Sequence, residues 1–175
     1  MTDERYPIGK YEAPLSFTEE AMQEWIQEIA ALPGQMRQAV VGLNYKQFDT
    51  PYRLGGWTIR QVIHHVADSH SNSLTRFKLA LTEENPTIKP YEEADWALLP
   101  DYKMAVNPSF QMIEGIHFRW VELMNSLTDE QWDRTFFHPA TQKSVNLRAA
   151  LSLYAWHGLH HLGHIKLALE KMEIE

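Results

Sequence analysis

The sequence predicts an all-α protein, a four-helix bundle with a long crossover between its second and third helices. Three observations predict it. Four long stretches carry apolar residues at helical spacing. The first three open on residues suited to capping a helix. The segment from Glu83 to Val106 contains Pro86, Pro90 and Pro100 and is too long for a simple turn. A connection of that length lets two helices of a bundle run parallel. Strand signals are weak, and "HPATQK" at 138–143 reads as an ordinary turn.

The first helix begins at "SFTE", where Ser16 and Glu19 read as a capping box. Phe17, Ala21, Trp25, Ile29 and Leu32 follow at helical spacing. Pro33-Gly34 is expected to kink or interrupt this helix, with "QMRQAVVGL" resuming it. The second opens on the box Thr58/Gln61 and is expected over about Ile59 to Thr82, before Asn85-Pro86 stops the chain. The third starts after Asn107 as cap and Pro108 in the first turn, and carries Phe110, Ile113, His117, Trp120, Val121, Met124 and Leu127. The fourth begins near Asn146 and runs toward Met172.

A short internal repeat divides these helices into pairs. "LNYKQFDT" (43–50) follows the first helix and "LTDEQWDR" (127–134) follows the third. Both read L-x-x-x-Q-aromatic-D, and the helices after them open "TIR" and "NLR". Two helix-pair halves related by pseudo-symmetry account for this pattern, with chance similarity as the alternative.

Composition bounds the function. The 175 residues suit one domain spanning 1–175 with one core. A net charge of −7 and no run of Lys or Arg argue against binding a phosphate backbone. There is no cysteine, so a thiolate ligand or nucleophile is excluded, and any metal site must use His, Asp or Glu. The N-terminal stretch has no apolar core of a signal peptide and no run is long enough to span a bilayer, so a cytoplasmic location is the expectation.

Nine histidines carry the remaining signal, above all the "HGLHH" of 157–161. Residues four apart share a helix face. His157 and His161 share the core stripe with Ala150, Tyr154, Ile165, Ala168 and Met172. His160 points toward Trp156 and Leu167, a less defined face, and His164 sits at the edge of the stripe. "IHHVADSH" on the second helix offers a third ligand. His64 shares a row with Arg60, Gln61, Asp68, Ser71 and Thr75, which is polar throughout and expected to face water. His65 borders Val62 and Val66, the edge of the buried face, and is chosen on that phase. A single His on an apolar stripe is ordinarily a hydrogen-bonded core residue, the reading for His117. Three buried imidazoles without partners are costly, and one divalent cation satisfies them all. Packing and metal binding both stay open on spacing alone. Asp68 is a candidate to hold an imidazole N–H, or else a solvated helix residue. Trp57 is placed near the mouth of such a site. No G-x-S-x-G, P-loop or H-E-x-x-H motif is present.

"GGWTIRQVIHHVADSH" together with "HGLHHLGHI" resembles the DinB-like family, and most closely its YfiT branch. "DTPYRLGGWT" and "PTIKPY" extend the resemblance over nearly the whole chain. The resemblance implies a four-helix bundle, a homodimer and one divalent metal, zinc or nickel, per chain. It places the ligands at His65, His157 and His161. His164 departs from the family, where Gln is commoner. Family members are described as metal-dependent hydrolases, and relatives transfer small thiols such as bacillithiol or mycothiol. A small-molecule hydrolase is therefore the first expectation and a thiol S-transferase the second. A non-catalytic bundle that binds a metal or ligand is the third. "HGLHH" contains no carboxylate base. Glu114 is a weak candidate, with Glu92, Glu93 and Asp95 of the crossover behind it.

Overall fold

The computed structural model describes residues 3–174. Its first long helix, α1, covers Glu19–Ala39, and Thr18 caps it by accepting from the Ala21 amide. The cap is therefore two residues later than the Ser16 box predicts. Pro33 does not interrupt α1, which runs through it to Ala39. Helix α2, Ile59–Thr82, has both bonds of the Thr58/Gln61 capping box and ends where the sequence predicts. The crossover follows, with the short α3 at Glu93–Trp96 and a 3-10 turn at Pro100–Lys103. Helix α4 covers Asn107–Asn125 and has no side-chain cap, so Asn107 is its first residue and not its capping residue. The short α5, Asp129–Trp132, leads into a two-stranded hairpin, β1 (Thr135–His138) and β2 (Lys143–Asn146). The hairpin corrects the reading of "HPATQK", since only 139–142 form the turn between the strands. The start of the crossover adds to β1 through Ile88 N–H donating to the Phe137 carbonyl and Phe137 N–H to the Pro86 carbonyl. Helix α6, Leu147–Ile174, completes the fold, with the Asn146 side chain accepting from the Ala149 amide.

The four long helices form the predicted bundle. Helices α1 and α2 each pack chiefly on α4 and α6, so the two helices of each sequence half lie diagonally across the bundle. The core has two apolar regions. One surrounds Ile29, Phe77, Trp120 and Leu151, and the other surrounds Met36, Ile63, Ile113 and Ile165. Along α2, α4 and α6, His70, His117 and His157 fall between residues of the two regions, and His65 and His161 lie beside His157. Gly158 allows the close approach of α6 to α1 there, because a Cβ at that position would stand 2.5 Å from Leu32 Cδ2.

The internal repeat is a structural repeat. Asp49 accepts from Arg60 Nε at 2.7 Å, and Asp133 accepts from Arg148 Nε at 3.0 Å. Arg60 also donates to the Tyr45 carbonyl and Arg148 to the Asp129 carbonyl, the matching position of the second copy. Gln47 and Gln131 each accept from the amide three residues back, Asn44 and Thr128.

Candidate metal centre

Helix α2 supplies His65, and α6 supplies His157 and His161 one turn apart. His157 Nε2 lies 3.3 Å from His65 Nε2 and 3.2 Å from His161 Nε2. One nitrogen of each of the three falls within 4.8 Å of the others. Two nitrogens on a tetrahedral ion with bonds of ~2.0–2.1 Å stand about 3.3 Å apart. Two of the three pairs therefore already hold the spacing that a zinc-sized cation requires, and the third lies within 4.8 Å. Three neutral rings converging on one point cannot all satisfy one another by hydrogen bonds, because each has one N–H. The donor set fits a divalent metal.

Burial keeps these rings neutral. Desolvation pushes the His65 imidazole down to about 4, with the neighbouring His160 and His164 adding to it. Burial, followed by the nearby histidines, carries His157 and His161 well below the ordinary range. A neutral imidazole is the ligating form. His65 and His161 are buried, while His157 keeps partial exposure.

A cleft of about 360 Å³ opens beside His161, lined among others by Arg5, Tyr52, Arg53, Trp57, His160 and His164. Trp57 flanks the triad as expected, its ring 4.8 Å from that of His65. The N-terminal segment closes one side. Arg5 supplies its carbonyl to His164, Tyr6 faces His160, and Gly163 leaves room for Pro7.

The other candidates fall elsewhere. His64 does not face water. It is 5% exposed, with Nδ1 2.7 Å from Ser109 Oγ and Nε2 3.3 Å from the Met104 carbonyl. The crossover covers the start of this row of α2, where the Met104 and Ala97 carbonyls meet His64, Arg60 and Gln61, while Thr75 further along is exposed. Arg60, 3% exposed in the same row, is held in that way by Met104 and Tyr45. Asp68 accepts from the Tyr102 hydroxyl at 2.6 Å and has no bond to an imidazole. Glu114 is paired with Arg37 of α1 at the surface and is not brought to the triad. Glu93 is exposed on the crossover near Arg76 of α2, and desolvation raises its carboxyl. His160 stacks on Trp156, and with His161 and His164 it forms a second close group of nitrogens. Among the described residues, the groups spaced for a metal contain histidine only.

His70 is the residue that sequence reasoning passed over. It lies one turn after Val66 and seven residues after Ile63, so it sits on the core stripe of α2, and it is fully buried. That phase was the available signal. His117 is hydrogen-bonded in the core as expected, to the Ile29 carbonyl and to His70.

Known proteins share the sequence and the bundle of this chain. The family model described as the DinB superfamily matches residues 28–165. A Bacillus cereus protein named "Putative metal-dependent hydrolase" is 56% identical over 165 residues, covering 94% of this chain and 95% of its own. A Bacillus thuringiensis relative of the same description matches equally, at 56% over 165 residues. The solved structure of YfiT from Bacillus subtilis superposes with a TM-score of 0.94 at 46% identity, covering 98% of this chain and 99% of that one. It is described as a probable metal-dependent hydrolase with an unusual four-helix bundle topology. On its sequence, its bundle and these relatives, the chain belongs to the DinB superfamily.

Proposed function

We propose that the chain is a metal-dependent hydrolase of a small molecule, in which His65, His157 and His161 hold one divalent ion, zinc or nickel. The observation that carries this reading is the convergence of three Nε2 atoms at 3.2 and 3.3 Å, the spacing of ligands on one ion. When bound, the ion supplies Lewis acidity that activates a nucleophile, a water for hydrolysis or a thiol for transfer. Three protein ligands leave a position free, as in catalytic rather than structural sites. Trp57 covers one side of the rings and limits access of water. Arg53 lines the adjoining cleft and brings a cation to it, suited to an anionic group of the substrate.

Thiol S-transfer is the second reading, and one observation favours it. No carboxylate joins the histidine groups among the described residues. Hydrolysis draws on a general base, whereas forming a thiolate at a metal needs less help of that kind. The test is metal-loaded protein assayed against an ester and against an electrophile, each with and without a small thiol. Thiol-independent ester cleavage supports the hydrolase. Turnover of the electrophile only with thiol supports the transferase. Bound metal with no turnover in any arm leaves a binding bundle.

A further inference from the structure

One line of contacts crosses the bundle and takes one group from each long helix. His157 Nδ1 on α6 lies 3.1 Å from His70 Nε2 on α2. His70 Nδ1 lies 2.7 Å from His117 Nε2 on α4. His117 Nδ1 lies 2.6 Å from the Ile29 carbonyl oxygen on α1. The last contact has one polarity. A carbonyl only accepts, so the proton is on His117 Nδ1. A neutral imidazole has a single N–H, so His117 Nε2 accepts and His70 Nδ1 donates. By the same step His157 Nδ1 donates to His70 Nε2. His157 Nε2 is left with a lone pair, facing the other two ligands.

The root of this line is a proline. In an α-helix the amide of residue 33 would bond the carbonyl of residue 29. Pro33 has no N–H, so the buried Ile29 carbonyl lacks its helical donor and takes His117 instead.

A second, shorter line serves His161. Its Nδ1 lies 3.3 Å from His164 Nδ1, and His164 Nε2 lies 3.2 Å from the Arg5 carbonyl. The carbonyl again sets the direction, so His164 Nε2 donates to it, His164 Nδ1 accepts, and His161 donates through Nδ1. His161 Nε2 then also presents a lone pair. The 3.2 Å approach of His157 Nε2 to His161 Nε2 is lone pair against lone pair, a contact that a cation relieves.

We propose that His70, His117 and His164 are positioning residues that fix the tautomers of two metal ligands, with the Ile29 and Arg5 carbonyls as fixed ends. The role of the ligands rests on the three-histidine reading above, whereas the tautomer pattern belongs to the metal-free protein and is tested there.

The experiment is a long-range ¹H–¹⁵N correlation spectrum of metal-free protein labelled at histidine, near pH 7. The expected pattern is Nδ1–H at His70, His117, His157 and His161, and Nε2–H at His164. An Nε2–H form at His70 or His157 overturns the long line. Zinc affinity, measured by competition with a chromophoric chelator, is then compared in His117→Gln and His117→Leu. Glutamine keeps both polarities, accepting through its oxygen and donating through its nitrogen. Leucine fills the apolar core but leaves His70 without an acceptor. His117→Gln is expected to stay near wild type, and His117→Leu to weaken zinc binding by about 10- to 100-fold. Equal affinities, or weaker binding by Gln than by Leu, would mean that position 117 only packs. If wild-type protein shows the tautomers but does not bind zinc, the metal reading fails and the tautomer lines stand.

Discussion

His64 and His65 differ by one step of helix α2 and have unrelated surroundings. His65 turns to α6 and meets His157, while His64 turns to the crossover and the start of α4 and meets Met104 and Ser109. His65→Ala is expected to lose most of the bound metal, as are His157→Ala and His161→Ala. His64→Ala is expected to keep it, at a stability cost of about 1–3 kcal/mol for the polar groups left unpaired. Elemental analysis of metal per chain separates them, and metal lost from His64→Ala but retained by His65→Ala would reverse the assignment. The phase of His65 was legible because Val62 and Val66 mark the buried edge. The burial of His64 was not, because a polar row reads as solvated until the segment that covers it is known.

At the scale of elements, capping and the repeat carry the local stability. Thr58→Ala removes the acceptor for the Gln61 amide at the start of α2 and is expected to cost about 1 kcal/mol. The two copies of the repeat make the same bonds in different settings. Arg60 is 3% exposed and holds two backbone carbonyls besides Asp49, whereas the Arg148 side chain is 17% exposed and its carboxylate partners lie in water. Arg60→Ala is therefore expected to cost about 3 kcal/mol, since it removes a buried guanidinium that makes three charge-assisted bonds, and Arg148→Ala about 1 kcal/mol. Urea unfolding of both variants measures the difference, and equal losses would contradict the burial argument. The repeat was visible as a seven-residue pattern. Its arginine partners were visible only as the ends of "TIR" and "NLR".

Across the whole molecule, a layer of neutral histidines between two apolar regions makes stability depend on pH. Burial lowers His117 to about 4 in the folded state, against the ordinary 6.5 of the unfolded chain. Between these values the unfolded state binds more protons, so stability is complete above about pH 6.5 and falls as pH drops toward 4. His117 alone contributes about 3 kcal/mol across that window. His70, His157 and His161 are shifted in the same direction. Metal-free protein is expected to lose thermal stability steeply below pH 6.5, and His117→Leu to show a shallower loss. A flat profile from pH 7 to 5 would refute the neutral layer. Bound metal is expected to dissociate over the same range, because protonated imidazole does not ligate.

The sequence by itself determined the four long helices, the limits of α2 and the repeat that relates the two halves, and it placed His65, His157 and His161 on core-facing helix edges. These follow from periodicity, caps and phase, which act within one helix or between two residues a turn apart. Tertiary structure alone decided which faces the crossover covers, and so the burial of His64 and Arg60. It decided that Glu114 turns to Arg37 and that Asp68 turns to Tyr102. It also decided that Pro33, which reads locally as a break, instead frees a carbonyl for a histidine on another helix. Each of these depends on groups distant in the chain meeting across the bundle, and no local pattern encodes such a meeting.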